Sequence, residues 1–151
     1  MVQTFSDNKN IYSVDMMFAY INIFKPKHKD ILVNSLLHTL EYKGWGEPTK
    51  NIYYSPMEVI KNPKNNKYKK EIERINKANL SYPIIIYNNY IIDGVHRLSK
   101  AYLDNKKKIK AYIFTKQEMD KFLIDKKLDW NKVDKLQIYD FIKLFYEQFC
   151  E

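Results

Sequence analysis

Residues Tyr82–Phe114 read YPIIIYNNYIIDGVHRLSKAYLDNKKKIKAYIF, and the order of elements they encode sets the architecture. Pro83 opens a strand over Ile84–Tyr87, whose unbroken apolar run predicts burial on both faces. Asn88-Asn89 suits a two-residue hairpin turn, because Asn tolerates positive φ. Tyr90-Ile91-Ile92 returns antiparallel and gives way at Gly94 to a helix that runs to about Asn105. Leu98, Ala101 and Tyr102 make the core stripe of that helix, and Ile109–Phe114 alternates as a further strand.

Working outward, Ser55-Pro56-Met57-Glu58 has Ser at the cap, Pro at the first helical position and Glu at the third, a capping box that starts a short helix ended by Asn62-Pro63. Asn51–Tyr54 before it reads as a short strand. Lys67–Asn79 reads as a helix with Tyr68, Ile72 and Ile75 inward. Towards the N-terminus, residues 1–10 read as loose and Ile11–Phe24 as one strand broken by Pro26. Asp30 is a candidate cap for a helix to about Lys43, with Val33, Leu36, Leu37 and Leu40 on one face, and Gly44-Trp45-Gly46 a turn. Towards the C-terminus, Thr115 caps a helix through Ile124 with Met119, Phe122 and Leu123 inward. Asp129 or Asn131 starts a last helix, on which Ile138, Phe141, Ile142, Phe145 and Phe149 recur at helical spacing. That helix is expected to dock on the sheet; left exposed, so apolar a face would call for a partner, in a dimer or a hetero-complex.

The expected fold class is therefore α/β (α+β): a small mixed sheet with flanking helices, plus C-terminal helices. At 151 residues the chain is expected to form one domain, with a core over 51–114 and a helical extension over 115–151 packed on it.

A hydrophobic fraction of 45% and an aromatic fraction of 15% describe a packed globular chain and exclude a disordered one. The lone cysteine, Cys150, rules out an internal disulfide and a multi-cysteine metal site, so a reducing intracellular compartment, cytoplasmic or nuclear, is expected. The opening MVQTFSDNKN lacks a basic region followed by an apolar one, so no signal peptide is expected, and no apolar run approaches a membrane span. The net charge of +8 favours anionic partners. Much of it lies in Lys61–Lys77, where seven basic side chains face only Glu71 and Glu73, and in Lys106-Lys107-Lys108 with Lys110. The first cluster is either a solvated surface or a face that tracks nucleic acid.

Asp93-Gly94-Val95-His96-Arg97 concentrates acid, base and cation at one strand–helix junction. A helix N-terminus offers free amides and the positive end of the dipole to an anion. Gly94 permits a tight turn and close approach. Arg97 carries a planar cationic fork suited to phosphate, His96 shares the first turn, and Lys100 lies one turn on. Asp93 either caps the helix, orients His96, or serves a metal or a hydroxyl.

The segment PIIIYNNYIIDGVHRLSKAY resembles the core motif of the ParB/sulfiredoxin superfamily, over roughly Tyr54–Phe114. The resemblance implies a small α/β fold that binds a nucleotide with its phosphates on the helix N-terminus, Gly94, His96 and Arg97 matching the phosphate-binding positions. Sulfiredoxins carry a reactive cysteine where this chain has Val95, which excludes sulfinic-acid repair. ParB partition proteins have a paired-arginine motif, a CTP switch and a downstream DNA-reading domain for which little sequence follows Phe114. Free-serine kinases of this fold look closer, with an Asp-Gly-His-His-Arg-like motif and an upstream Pro-x-Glu, matched here by Asp93–Arg97 and Pro56-Met57-Glu58. The resemblance implies an ATP-, ADP- or CTP-dependent phosphotransferase or NTP hydrolase. Phosphates would lie on the amides from Gly94 through Val95 to His96, with His96, Arg97 and Lys100 around them. Asp93, His96 and Glu58 would be the catalytic residues, with Mg²⁺ held by Asp93 and Glu58 as the base. The alternative is a nucleic-acid-binding module or a ParB-like nuclease working through the Lys61–Lys77 face. The enzymatic account fails if His96 and Arg97 are locked to carboxylates with no open hollow before the turn.

Overall fold

The structure, a computed structural model, describes residues 3–125 and 130–149. In chain order the elements are β1 (Thr4–Ser6), β2 (Ile11–Ser13), α1 (Val14–Phe24), β3 (Lys29–Leu32), a 3-10 turn (Val33–Leu36), α2 (Leu37–Leu40), β4 (Trp45–Glu47), β5 (Ile52–Tyr54) and α3 (Pro56–Lys61). There follow α4 (Lys69–Lys77), β6 (Ile84–Tyr87), β7 (Tyr90–Asp93), α5 (Val95–Leu103), β8 (Lys108–Ile113), α6 (Lys116–Lys121), β9 (Leu123–Asp125), α7 (Trp130–Asp134) and α8 (Ile138–Phe149). The mixed α/β class expected from the sequence is the class observed.

Two compact units form, one from residues 28–113 and one from 1–27 with 114–151. The core expected over 51–114 overlaps the first unit, and the C-terminal segment is not a purely helical extension. It contributes β9 to a sheet with the N-terminal strands.

In the 28–113 unit, a four-stranded sheet has the order β3-β8-β6-β7. β6 runs parallel to β8 and antiparallel to β7, and β3 is antiparallel to β8. The parallel pair is joined through the β6–β7 hairpin and α5. Asn88 (φ 51) and Asn89 (φ 66) both take the left-handed conformation that a tight hairpin turn needs. Ile84, Ile85 and Ile86 are all buried, as an apolar run in an inner strand requires. One core gathers Val33, Leu36, Leu40, Met57, Ile84, Ile86, Leu98, Ala101, Ile109 and Ala111. A second joins the β4–β5 hairpin to α4 through Tyr54, Val59, Tyr68 and Ile75, with Trp45, Ile52 and Ile72 against it.

Two expectations are corrected in this unit. Asp30 is no helix cap: Lys29–Leu32 is an edge strand, with Asp30 opposite Lys110 on β8. The apolar face Val33, Leu36, Leu40 is real, but it is carried by a 3-10 turn and one turn of α2. Trp45 and Gly46 lie in a strand paired with β5 rather than in a turn.

In the other unit, β1, β2 and β9 form an antiparallel sheet in the order β1-β2-β9. Residues 4–6 are therefore not loose. The Asp7 carboxylate accepts from the amides of Lys9 and Asn10 and closes a hairpin. Ile11–Phe24 is not one strand, because the Ser13 hydroxyl accepts from the Met16 amide and starts a helix. Its end is set by Lys25 in the left-handed region, ahead of Pro26. α6 begins at a Thr115–Glu118 capping box but stops at Lys121, and Ile124 belongs to β9. On α8, Phe149 packs against Tyr20, Phe24 and Phe122 of the same unit, while Tyr139, Ile142 and Tyr146 are exposed. Asp129, one candidate start for the last helix, lies outside the described residues. Among the described residues, no helix is long and apolar enough to cross a membrane.

Candidate functional site

β7 ends at Asp93, and Gly94 turns the chain into α5 with φ +111. A Cβ at Gly94 would lie 2.4 Å from Cγ2 of Ile84, a core residue of the neighbouring strand. The glycine is thus required by the backbone conformation and by packing on Ile84. The tight turn is one of the two reasons the sequence offers; the packing on Ile84 is a reason it does not show. No side chain caps α5. The first-turn amides, Val95, His96 and Arg97, lack intrahelical acceptors and remain oriented out of the helix end. Asp93 is therefore not the cap.

Asp93 instead binds Arg97, whose Nη2 donates to Asp93 Oδ2 at 2.6 Å. Arg97 Nη1 donates to the carbonyls of Pro83 (2.9 Å) and Tyr82 (3.2 Å). The guanidinium staples the end of β7 to the entry of β6. It does not reach forward as the sequence suggests.

His96 is also held by a carboxylate. Its Nε2 lies 2.6 Å from Oε2 of Glu71 on α4. Trp45 stacks on the imidazole with centroids 4.5 Å apart and planes 17° apart. The Glu71 side chain is only 12% exposed, and its other oxygen is 3.6 Å from Nη1 of Arg74. Burial foremost, and then the Glu71 charge, push the phenol of nearby Tyr54 above its ordinary 10.0.

An open hollow of about 460 Å³ lies in front of the Gly94 turn. Arg74 and Lys77 of α4, Tyr82, Asp93, Gly94, His96 and Arg97 line it, with Ala78 and Asn79. Three basic side chains thus face a single lining carboxylate. Arg97 is neutralised by Asp93 and Arg74 is loosely tied to Glu71, whereas Lys77 has no partner among the described residues.

The remaining sequence candidates are placed elsewhere. Lys100 Nζ donates to the carbonyls of Asn76 (3.0 Å) and Ala78 (2.9 Å), closing the C-terminus of α4 where a cation is favoured. It does not line the hollow. Val95 packs against the main core. Glu58 completes its capping box: its carboxylate accepts from the Ser55 amide at 2.6 Å, and that bond holds its pKa below the ordinary 4.5. Glu58 does not line the hollow either. Among the described residues, no three His, Cys, Asp or Glu side chains gather to hold a metal, and one oxygen of Asp93 is taken by Arg97.

Sequence reasoning missed Glu71, Trp45, Arg74 and Lys77 as parts of one site. The three on α4 were counted within a basic surface. Their spacing, i, i+3 and i+6, with Ile72 and Ile75 turned inward, was the available signal. Trp45 lies too far away in sequence for any local pattern to connect it to His96. No family model, curated protein or solved structure matches this chain.

Proposed function

We propose that the 28–113 unit binds a nucleotide, with its phosphates in the hollow before Gly94, and that it transfers or hydrolyses a phosphoryl group. One observation carries this: an open hollow where an uncapped helix start faces Arg74, Lys77 and Arg97. The dipole and free amides favour an anion there by about 0.3–2 kcal/mol, before any side chain contributes. The motif resemblance to the ParB/sulfiredoxin superfamily supports the same reading from the sequence. Arg74 and Lys77 would take the phosphate-binding role that the resemblance gives to Arg97 and Lys100. On this reading Mg²⁺ would arrive with the nucleotide, whose phosphate oxygens supply ligands.

The test is a thermal-shift panel of ATP, ADP and CTP with Mg²⁺. At least one nucleotide should raise Tm in the wild type, and Lys77→Glu combined with Arg74→Glu should abolish the rise. No shift with any of them rejects the reading.

A second reading has its own support. Lys61, Lys64, Lys67, Lys69 and Lys70 are all exposed beside Arg74 and Lys77, a surface suited to tracking nucleic-acid phosphates. It predicts retention of DNA or RNA whose log affinity falls steeply with log salt. Lys69→Glu with Lys70→Glu would weaken it, and His96→Gln would not.

A further inference from the structure

We infer that His96 is the proton acceptor of this site and Glu71 its positioning residue, in place of Glu58. The inference rests on the nucleotide reading and assigns the chemistry within it. A carboxylate buried to 12% exposure is costly unless it is paired. Glu71 spends its short bond on an imidazole nitrogen, and Trp45 covers one face of that ring. A carboxylate accepts, so Nε2 of the neutral ring carries the proton and Nδ1 is left basic. Nδ1 has no hydrogen-bond partner among the described residues, and His96 lines the hollow. Glu58, by contrast, is committed to the Ser55 amide.

The step is a phosphoryl transfer from a nucleoside di- or triphosphate to a hydroxyl, of an alcohol or of water. The O–H bond breaks and its proton goes to Nδ1. The oxygen forms a bond to the terminal phosphorus. The bond from that phosphorus to the bridging oxygen breaks, and its electron pair leaves with the shortened nucleotide. Glu71 stabilises the imidazolium, which then returns its proton to solvent. The charged groups around the ring are Glu71, Arg74 and Lys77 on α4, Asp93 on β7 and Arg97 on α5. Of these, Glu71 is the one hydrogen-bonded to the ring.

The test uses the full chain with Mg²⁺ and ATP, ADP or CTP, with water and a panel of small hydroxyl compounds as acceptors, followed by ³¹P NMR. In the wild type, log kcat should rise with pH as the proton acceptor loses its proton and then level. His96→Gln should lower kcat at saturating nucleotide by about 10²–10⁴-fold and flatten that limb. Glu71→Gln should cost less and shift the limb, and Glu71→Asp should recover part of the loss. Independently of any variant, ¹⁵N shifts of the wild-type ring, assigned against His28 and His38 variants, should report the Nε2–H tautomer. Nucleotide binding with wild-type turnover in His96→Gln, or with no turnover in the wild type, overturns this inference and leaves the binding reading standing. So does loss of turnover in Glu58→Gln alone, or an Nδ1–H tautomer. Absence of nucleotide binding overturns both.

Discussion

At the scale of single residues, Gly94 and Arg97 hold the site together more than they reach out of it. Gly94→Ala would force an L side chain to φ +111 and drive its Cβ into Ile84. A loss of about 2–4 kcal/mol in urea unfolding is expected, from strain and overpacking together. Arg97→Lys keeps the charge but not the fork that serves Asp93, Pro83 and Tyr82. It should cost about 1–2 kcal/mol, measured the same way. The importance of both positions was legible in the sequence, since a glycine between Asp93 and a helical stripe marks a turn. The contacts that fix them were not, because Ile84 and the Pro83 carbonyl approach only through sheet pairing. Glu71 was invisible as a partner for His96, since their contact spans 25 positions between α4 and α5.

At the scale of elements, local chemistry was readable wherever it was complete within a few residues. Both capping boxes, Ser55–Glu58 and Thr115–Glu118, start helices as their sequences demand. Ser55→Ala should destabilise the fold by about 0.5–2 kcal/mol by denaturant titration. The lowered Glu58 pKa gives a pH dependence of known sign. Its contribution is fully present above 4.5, the ordinary value, and is lost as the pH falls through the lowered one. An acid titration of stability should therefore decline more steeply below that range in the wild type than in Glu58→Gln. Where tertiary pairing decides, the sequence misleads. Ile11–Phe24 is rich in β-formers, yet the Ser13 cap and the buried Val14, Met16 and Met17 make Val14–Phe24 helical. Lys29–Leu32 precedes a helical stripe, yet pairing with β8 draws it into the sheet.

At the scale of the whole molecule, the sheet that bears the site belongs to residues 28–113, while the first 27 residues share a unit with 114–151. Deleting residues 1–27 removes β1, β2 and α1 and strips Tyr20 and Phe24 from Phe149 and Tyr20 from Phe122. The truncated chain should bind an apolar dye such as ANS and lose solubility relative to the full chain, as chains with uncovered aromatic cores do. The +8 charge belongs to the same scale, since it draws anions to the surface without choosing among them. On the proposed reading, the choice would be made where Lys77 and Arg74 border the uncapped start of α5. The most direct measurement is a ¹H–¹⁵N spectrum of the full chain titrated with a magnesium nucleotide. Saturable shifts centred on the amides of Gly94, Val95, His96 and Arg97, with Lys77 and its neighbours following, are the predicted result. Shifts confined to the Lys61–Lys70 surface, or none at the Gly94 turn, would contradict the account.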